Sequence, residues 1–294
     1  MVELSFDGLP SYTYLGGEVA GTLLLAVERP TRGTDLTLTL RGREFAQIHV
    51  QQGKNSIAVQ QSVPLVELAY DFRDKLQFVD SGHLAPGEYR LPFEFTIPPT
   101  ALPTLHTTPG PPAWSGTLGA HPDGMFVEYE LEARLNVPLW LDRKVQAVLP
   151  VYSPRRVLGV VPKMTSQPNP GSPALDITPI GVGPLLPGTP FRAIYQVRNP
   201  SGKEIRRLTF TLKRHVEFRV QGRARSSDGP AFAVDVALDV GPVVSGTLEL
   251  PIPNAEPVIG PEEGSLFREY WIATATLDVP WGFDTVVAAP LIPA

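Results

Sequence analysis

The sequence predicts an all-β protein built from two tandem β-sandwich domains with little helix. Three observations predict it. Apolar and polar residues alternate at period two along much of the chain, as in strands with one face in a core and one in water. Proline supplies 33 of the 294 residues. Each proline removes a donor and clashes with the preceding helical turn, whereas strands joined by Pro/Gly turns tolerate it. The third observation is a long repeat. Leu15–Phe45 and Leu186–Phe218 both open on Leu-x-Gly, run through an apolar strand to a proline (Pro30, Pro200) and turn through a glycine (Gly33, Gly202). They resume as Leu36-Thr-Leu-Thr-Leu40-Arg41 and Leu208-Thr-Phe-Thr-Leu212-Lys213.

Taken in order, Val2–Phe6 reads as an opening strand and Tyr14–Val27 as a second, reached through Gly16-Gly17. Thr34–Val50 alternates strongly, with Leu36, Leu38 and Leu40 on one face, and Gly42 marks a bulge or bend. Ile57–Val63 has strand character. Val66–Lys75 fits a strand or a helical turn. After the Pro86-Gly87 turn, Tyr89, Leu91, Phe93, Phe95 and Ile97 share one face. Pro99–Asp123 is a loop without periodicity, of the length usually kept for function or motion. Phe126–Leu135 and Val145–Val151 close the first half.

Ser153–Gly171 holds four prolines and reads as the junction, with a short strand at Val157–Val161. The expected domains are 1–155 and 156–294. In the second half, Leu175–Ile180 opens, the repeat follows, and Gly246–Pro253 parallels Gly87–Pro98. Ala133–Pro138 matches Ala275–Pro280, and Asp142 and Asp284 each lie four residues beyond their proline. The offsets are 171 (Gly17 to Gly188), 155 (Pro98 to Pro253) and 142 (Pro138 to Pro280). They shrink along the chain, so the first copy carries the longer loops.

Composition narrows function. There is no cysteine, which removes disulfides and thiolate metal sites and fits a reducing, cytoplasmic setting. MVELSFDGLPSY has two acids and no basic residue, so no secretory leader is expected. No apolar run approaches the roughly 18 residues of a membrane span. The net charge of −5 gives no electrostatic case for nucleic acid.

With these motifs assembled, the chain resembles the arrestin family. Leu15-Gly-Gly-Glu-Val-Ala-Gly21, Gly87-Glu-Tyr-Arg-Leu-Pro-Phe-Glu-Phe-Thr-Ile-Pro98 with Leu102-Pro103, and Tyr129–Leu135 match the N-domain pattern. Leu186-Pro-Gly, Asn199-Pro-Ser and Arg214-His-Val-Glu-Phe match the C-domain. The matches touch nearly the whole chain. The resemblance implies two immunoglobulin-like sandwiches and a non-enzymatic scaffold or adaptor. Glu3 and Asp7 stand where receptor arrestins carry paired lysines, and Val145–Val151 has no charge where they bury an arginine; Arg143-Lys144 fall just before it. The resemblance is therefore nearer to α-arrestin-like adaptors, retromer-type subunits and bacterial sporulation-control proteins. It implies no phosphate trigger.

The candidate partner-binding residues lie in Lys203–Arg225, with eight Lys/Arg against two acids. Arg207, Lys213, Arg219, Arg223 and Arg225 share a face with His215, opposite Leu208, Phe210, Leu212, Val216, Phe218 and Val220. The stripe fits an acidic partner, an anionic lipid surface or nucleic acid, but the favoured reading is a solvated sheet face that deters edge pairing. No aromatics interleave on it, so single-strand stacking is not expected. Arg214 falls among the inward residues; a bulge that shifts the phase is the favoured reading, a buried charge with a partner the other.

His83, His106, His121 and Asp123 have no metal-ligand spacing, and no cofactor motif is present. Glu128, Glu130 and Glu132 form one row on a strand face, read as solvent-facing, and Glu262-Glu263 read as surface charge. No catalytic constellation has assignable roles, so the expectation is not an enzyme but a protein that binds other proteins through sheet faces, the crevice between domains and loops. The alternative is a ligand- or carbohydrate-binding sandwich using Trp114, Trp140, Trp271 or Trp281.

Overall fold

The structure is a computed structural model. It describes residues 2–33, 35–80, 82–107, 123–137, 142–154, 157–167, 169–181, 183–239, 241–254, 262–280 and 282–292. The fold is all-β, and the single helical element among the described residues is the 3-10 turn Arg73–Lys75. The chain forms two compact units. Unit 1 comprises Met1–Pro154 with two short later stretches, Arg219–Arg223 and Gly264–Leu266; unit 2 comprises Arg155–Phe218, Ala224–Glu263 and Phe267–Ala294.

Unit 1 has seven strands of six residues or more among the described residues: β1 (Val2–Asp7), β2 (Glu18–Val27), β3 (Asp35–Gln52), β4 (Asn55–Asp71), β5 (Gly87–Thr96), β6 (Gly124–Asn136) and β7 (Arg143–Val148). They form two sheets, ordered β1-β2-β5 and β7-β6-β3-β4. Alternation fixes which face each strand buries. Leu91, Phe93 and Phe95 of β5 are buried, with Ile97 beyond it, and intervening residues are exposed. Tyr70 of β4 bridges to the other sheet: its ring meets Phe95 at 4.9 Å and its hydroxyl donates to Glu94 O at 2.5 Å. The stretch Val66–Lys75 is both things its sequence allows, strand to Asp71 and then the 3-10 turn. The β3–β4 register shifts between Gly42 and Arg43, with Pro64 opposite Arg43. A residue without an N–H belongs at such a break.

Unit 2 also has seven such strands: β8 (Ala174–Pro179), β9 (Phe191–Arg198), β10 (Arg207–Val220), β11 (Arg223–Ala237), β12 (Val243–Leu250), β13 (Phe267–Asp278) and β14 (Thr285–Pro290). The sheets run β8-β9-β12 and β14-β13-β10-β11. One apolar core joins them, drawing Leu175, Ile177, Phe191 and Val197 from the first and Leu208, Phe210, Leu212 and Trp271 from the second. Phe191 stacks on Phe210 at 5.0 Å across that core. Val157–Val161 forms isolated bridges rather than a strand: Gly159 pairs with Leu185 and Val160 with Ile292.

Adding seven to each label of unit 1 gives the strand order of unit 2. The match extends to single bonds. Gly16 and Gly188, both at positive φ (78° and 80°), donate N–H to Ile97 O and Ile252 O at 3.0 and 2.9 Å. Gly17 and Thr189 then donate to Tyr14 O and Leu186 O. The turn glycine equivalent to Gly188 is thus Gly16, not Gly17, the position that the Leu-x-Gly repeat matches to it. Both glycines take a backbone region that L side chains disfavour. Registers agree too: Leu36, Leu38, Leu40, Gly42 and Glu44 face Leu135, Ala133, Leu131, Tyr129 and Val127. Leu208, Phe210, Leu212, Arg214 and Val216 face Leu277, Ala275, Ala273, Trp271 and Glu269. Asp142 Oδ1 accepts the Val137 N–H and Asp284 Oδ1 the Val279 N–H, each at 3.1 Å.

Candidate functional site

Alternation holds from Arg207 to Val220, but the chain turns at Gln221-Gly222 and puts Arg223 and Arg225 on the next strand, so the five residues do not share one strand face or form one positive surface. Arg207 pairs with Asp235 at 3.3 Å and Asp278 at 3.7 Å. Lys213 and His215 share Asp228, whose carboxyl the Lys213 and His215 bonds hold below its ordinary value. Strand β11 therefore lays acids beside the β10 cations. Arg219 and Arg223 flank the β10–β11 turn in the stretch belonging to unit 1, whereas Arg225, bonded to Ala224 O at 3.0 Å, belongs to unit 2. All three are exposed. The turn places Gln221 and Gly222 at positive φ (49° and 80°), the requirement of a two-residue hairpin turn whose twist matches its strands.

Arg214 corrects the favoured bulge. The β10–β13 register is unbroken from Arg207 to Phe218, so Arg214 points inward and is 5% exposed. Its Nε lies 3.8 Å from Glu269 Oε1. Gly229 makes the room: a Cβ there would stand 2.5 Å from Arg214 Nε. The solvent-row reading of β6 is likewise corrected. Glu128 and Glu130 are buried and stand opposite Arg43 and Arg41 in the register. Burial, then Glu132, pushes the Glu130 carboxyl up.

The histidines do not converge. His83 Nδ1 bonds Asp80 at 2.8 Å, His49 Nδ1 bonds Asp123 at 2.9 Å, and His106 Nε2 lies 3.9 Å from Glu128. Among the described residues no group of three such ligands forms. His121 lies outside the described residues, as do Trp114, Trp140 and Trp281 and most of the Pro99–Asp123 loop. Trp271 is 1% exposed and stacks on Phe232 at 5.5 Å; it is a core residue, not a sugar platform.

The site that sequence reasoning missed is a pocket of about 550 Å³ in unit 2. Four carboxylates line it: Glu217 from β10, Glu269 from β13, and Glu262 and Glu263 from the segment before β13. Arg268 and Tyr270 share the wall, and Pro290–Ile292 form an apolar lip. The backbone draws the segment in: Glu269 N–H donates to Glu262 O at 2.7 Å, and Glu263 bridges to Arg268. Tyr270 donates its hydroxyl to Glu217 at 2.7 Å, and desolvation with that bond pushes the phenol up to about 12. The Arg268 guanidinium sits 6.0 Å from the Tyr270 ring centre. Glu269 is also among the lining residues. Its side chain is fully buried and neither oxygen has a hydrogen bond among the described residues. Burial pushes its carboxyl up to about 8, against the pull of Arg214. The Glu262-Glu263 dipeptide gave a signal in the sequence, but no local pattern joins it to Glu217 and Glu269.

A wall of carboxylates with an aromatic ring and an apolar lip can hold a cationic group and the aliphatic stem that carries it. It assembles no nucleophile with a base. A scan of protein-family models and a search of curated proteins return no match to this chain.

Proposed function

We propose that this chain is an arrestin-like, non-enzymatic scaffold or adaptor whose work is binding other proteins in the cytoplasm. The observation that carries the reading is the strand-for-strand equivalence of two seven-strand sandwiches, joined to the Gly-x-x-x-x-Pro-Phe-x-Phe-x-x-Pro motif of Gly87–Pro98. A repeated all-β frame with broad faces and edge strands suits protein recognition, by surface contact or by strand addition. The absence of cysteine fits a reducing compartment. No helix among the described residues is long and apolar enough to cross a membrane, and any membrane contact in this reading is peripheral.

The test uses the full chain. Proteins captured on it are identified, purified and titrated back against folded and heat-unfolded chain. At least one is expected to bind the folded chain saturably and the unfolded chain not at all. If every captured protein binds both forms alike, or none survives titration, the reading fails.

A further inference from the structure

The two sandwiches finish the same sheet edge in different ways. In unit 1 that edge is β5 and in unit 2 it is β12, each an outer strand of its sheet. An antiparallel ladder turns the backbone groups of alternate residues toward the partner strand and the rest away from it. Ile97 donates its N–H to Gly17 O at 2.9 Å, in register with the β2–β5 pairing. Glu88, Arg90, Pro92 and Glu94 of β5 therefore face the free edge. Asn199 donates to Pro242 O at 2.8 Å, in register with the β9–β12 pairing. Val243, Ser245, Thr247 and Glu249 of β12 therefore do the same.

The β5 edge is blocked. Pro92 has no N–H to offer, and Glu88, Arg90 and Glu94 are exposed charges, both devices that stop edge pairing. The Tyr70 hydroxyl already occupies Glu94 O. The connection 72–86 before β5 buries Phe72, Leu76 and Leu84. The β12 edge is open. Val243, Ser245 and Thr247 are uncharged and exposed, Val243 by 58%, and no proline interrupts the strand. The Glu249 charge is met by Arg192 at 2.8 Å. The connection 238–242 is short, and Leu238 and Val244 at its ends are only partly buried against the core. They line one small pocket with Val197 and Ile205. Among the described residues no strand pairs with this edge.

A row of alternating N–H and C=O groups at strand spacing is matched by another extended backbone. Side chains narrow the occupant further. The outward row is neutral once Arg192 meets Glu249, so it complements a strand uncharged on its solvent side. Leu238 and Val244 need apolar residues on the other side. The β12 strand of a second copy does not supply them, because its Val244, Leu248 and Leu250 pack against its own core.

We propose that the free edge of β12, Val243–Glu249, takes an added strand from an extended segment of a protein partner, uncharged toward solvent and apolar toward Leu238 and Val244. The proposal rests on the protein-binding reading above and gives that reading a site and a partner chemistry.

The probe is the peptide acetyl-Thr-Val-Thr-Val-Thr-Val-Thr-amide, titrated into isotope-labelled full chain and followed by backbone NMR. The amides of Val243, Ser245, Thr247 and Glu249 are expected to shift saturably and to exchange hydrogen more slowly. Two control peptides are N-methylated, one on its threonines and the other on its valines. An added strand offers one edge to β12, so one control is expected to bind at least about tenfold more weakly while the other holds. Thr247→Pro gives β12 the proline of β5, and Val243→Glu with Ser245→Arg gives it the charges. Each is expected to weaken the peptide at least about tenfold at an unchanged melting temperature; the double variant changes only exposed side chains and carries the test if the proline variant does not fold. Shifts confined to other surfaces, no saturation, controls that bind alike or a folded double variant that binds as before each overturn the proposal. A chain that sediments as a dimer, and as a monomer in the double variant, assigns the edge to a second copy and also overturns it. A chain that binds its captured proteins but not the peptide loses the strand site and keeps the scaffold reading. A chain that takes the peptide on β12 but holds no protein does the reverse.

Discussion

The β3–β6 end of unit 1 and the β10–β13 end of unit 2 are one piece of architecture carrying different chemistry. At Gly42 the backbone yields to a ring: a Cβ there would lie 2.5 Å from Tyr129 Cε1. The Tyr129 hydroxyl is fastened to Leu102 O at 2.5 Å, and burial raises the phenol well above its ordinary value. At the equivalent place unit 2 has Arg214 opposite Trp271 in the register, with the room made at Gly229 on the next strand. One rung on, both ends bury a glutamate carboxyl group, but among the described residues only the Glu44 carboxyl accepts backbone N–H groups. Two sandwiches with the same strand order share rungs and registers because the backbone ladder enforces them. The inward side chains then diverge wherever a neighbouring strand can make compensating space.

The largest test of this equivalence is truncation of its two aromatic anchors. Tyr129→Ala and Trp271→Ala, both at fully or nearly fully buried positions, are each expected to cost about 3–5 kcal/mol in denaturant unfolding. A loss below about 1 kcal/mol at one of them would show that it is not the anchor its counterpart is.

Next comes pH. The Glu269 carboxyl holds its proton up to about pH 8 in the folded chain, against an ordinary value of 4.5. Between those values the native state binds the extra proton, so this group subtracts stability as pH rises through the window, and below it the subtraction vanishes. Between about pH 5 and pH 8 the wild type is expected to lose on the order of a few kcal/mol more than Glu269→Gln. Parallel stability–pH curves for the two proteins would refute this.

Gly42→Ala, which forces Tyr129 off its position, is expected to cost about 1–3 kcal/mol; full stability would mean the ring has room to move. The smallest effect belongs to the shared turn. Asp142→Ala and Asp284→Ala each remove one bond to a valine N–H, and a fall in melting temperature of about a few degrees is expected. Asp142→Ala should fall further, because Arg134 also holds that carboxyl, keeping it below its usual value. A larger fall for Asp284→Ala would contradict the bonding.

Much of the fold is legible in the sequence. The face shared by Leu91, Phe93, Phe95 and Ile97, the break at Gly42 and the pairing of Asp142 with Asp284 all follow from local pattern. The candidate site was far less readable. Arg207, Lys213, Arg219, Arg223 and Arg225 share a strand face in sequence, but Asp228 and Asp235 come from the next strand and neutralise two of them. Glu262 and Glu263 look like surface charge until β10 and β13 bring Glu217 and Glu269 beside them.

The sequence by itself determined which residues alternate, where the chain turns and that one set of strands occurs twice. These depend on period and turn chemistry within short windows. Tertiary structure alone decided that Arg214 points inward with its register intact, that Gly16 rather than Gly17 matches Gly188, and that four scattered glutamates meet. Each of those outcomes depends on which strand lies alongside, and on the volume and charge that strand contributes, information no short window of one strand contains.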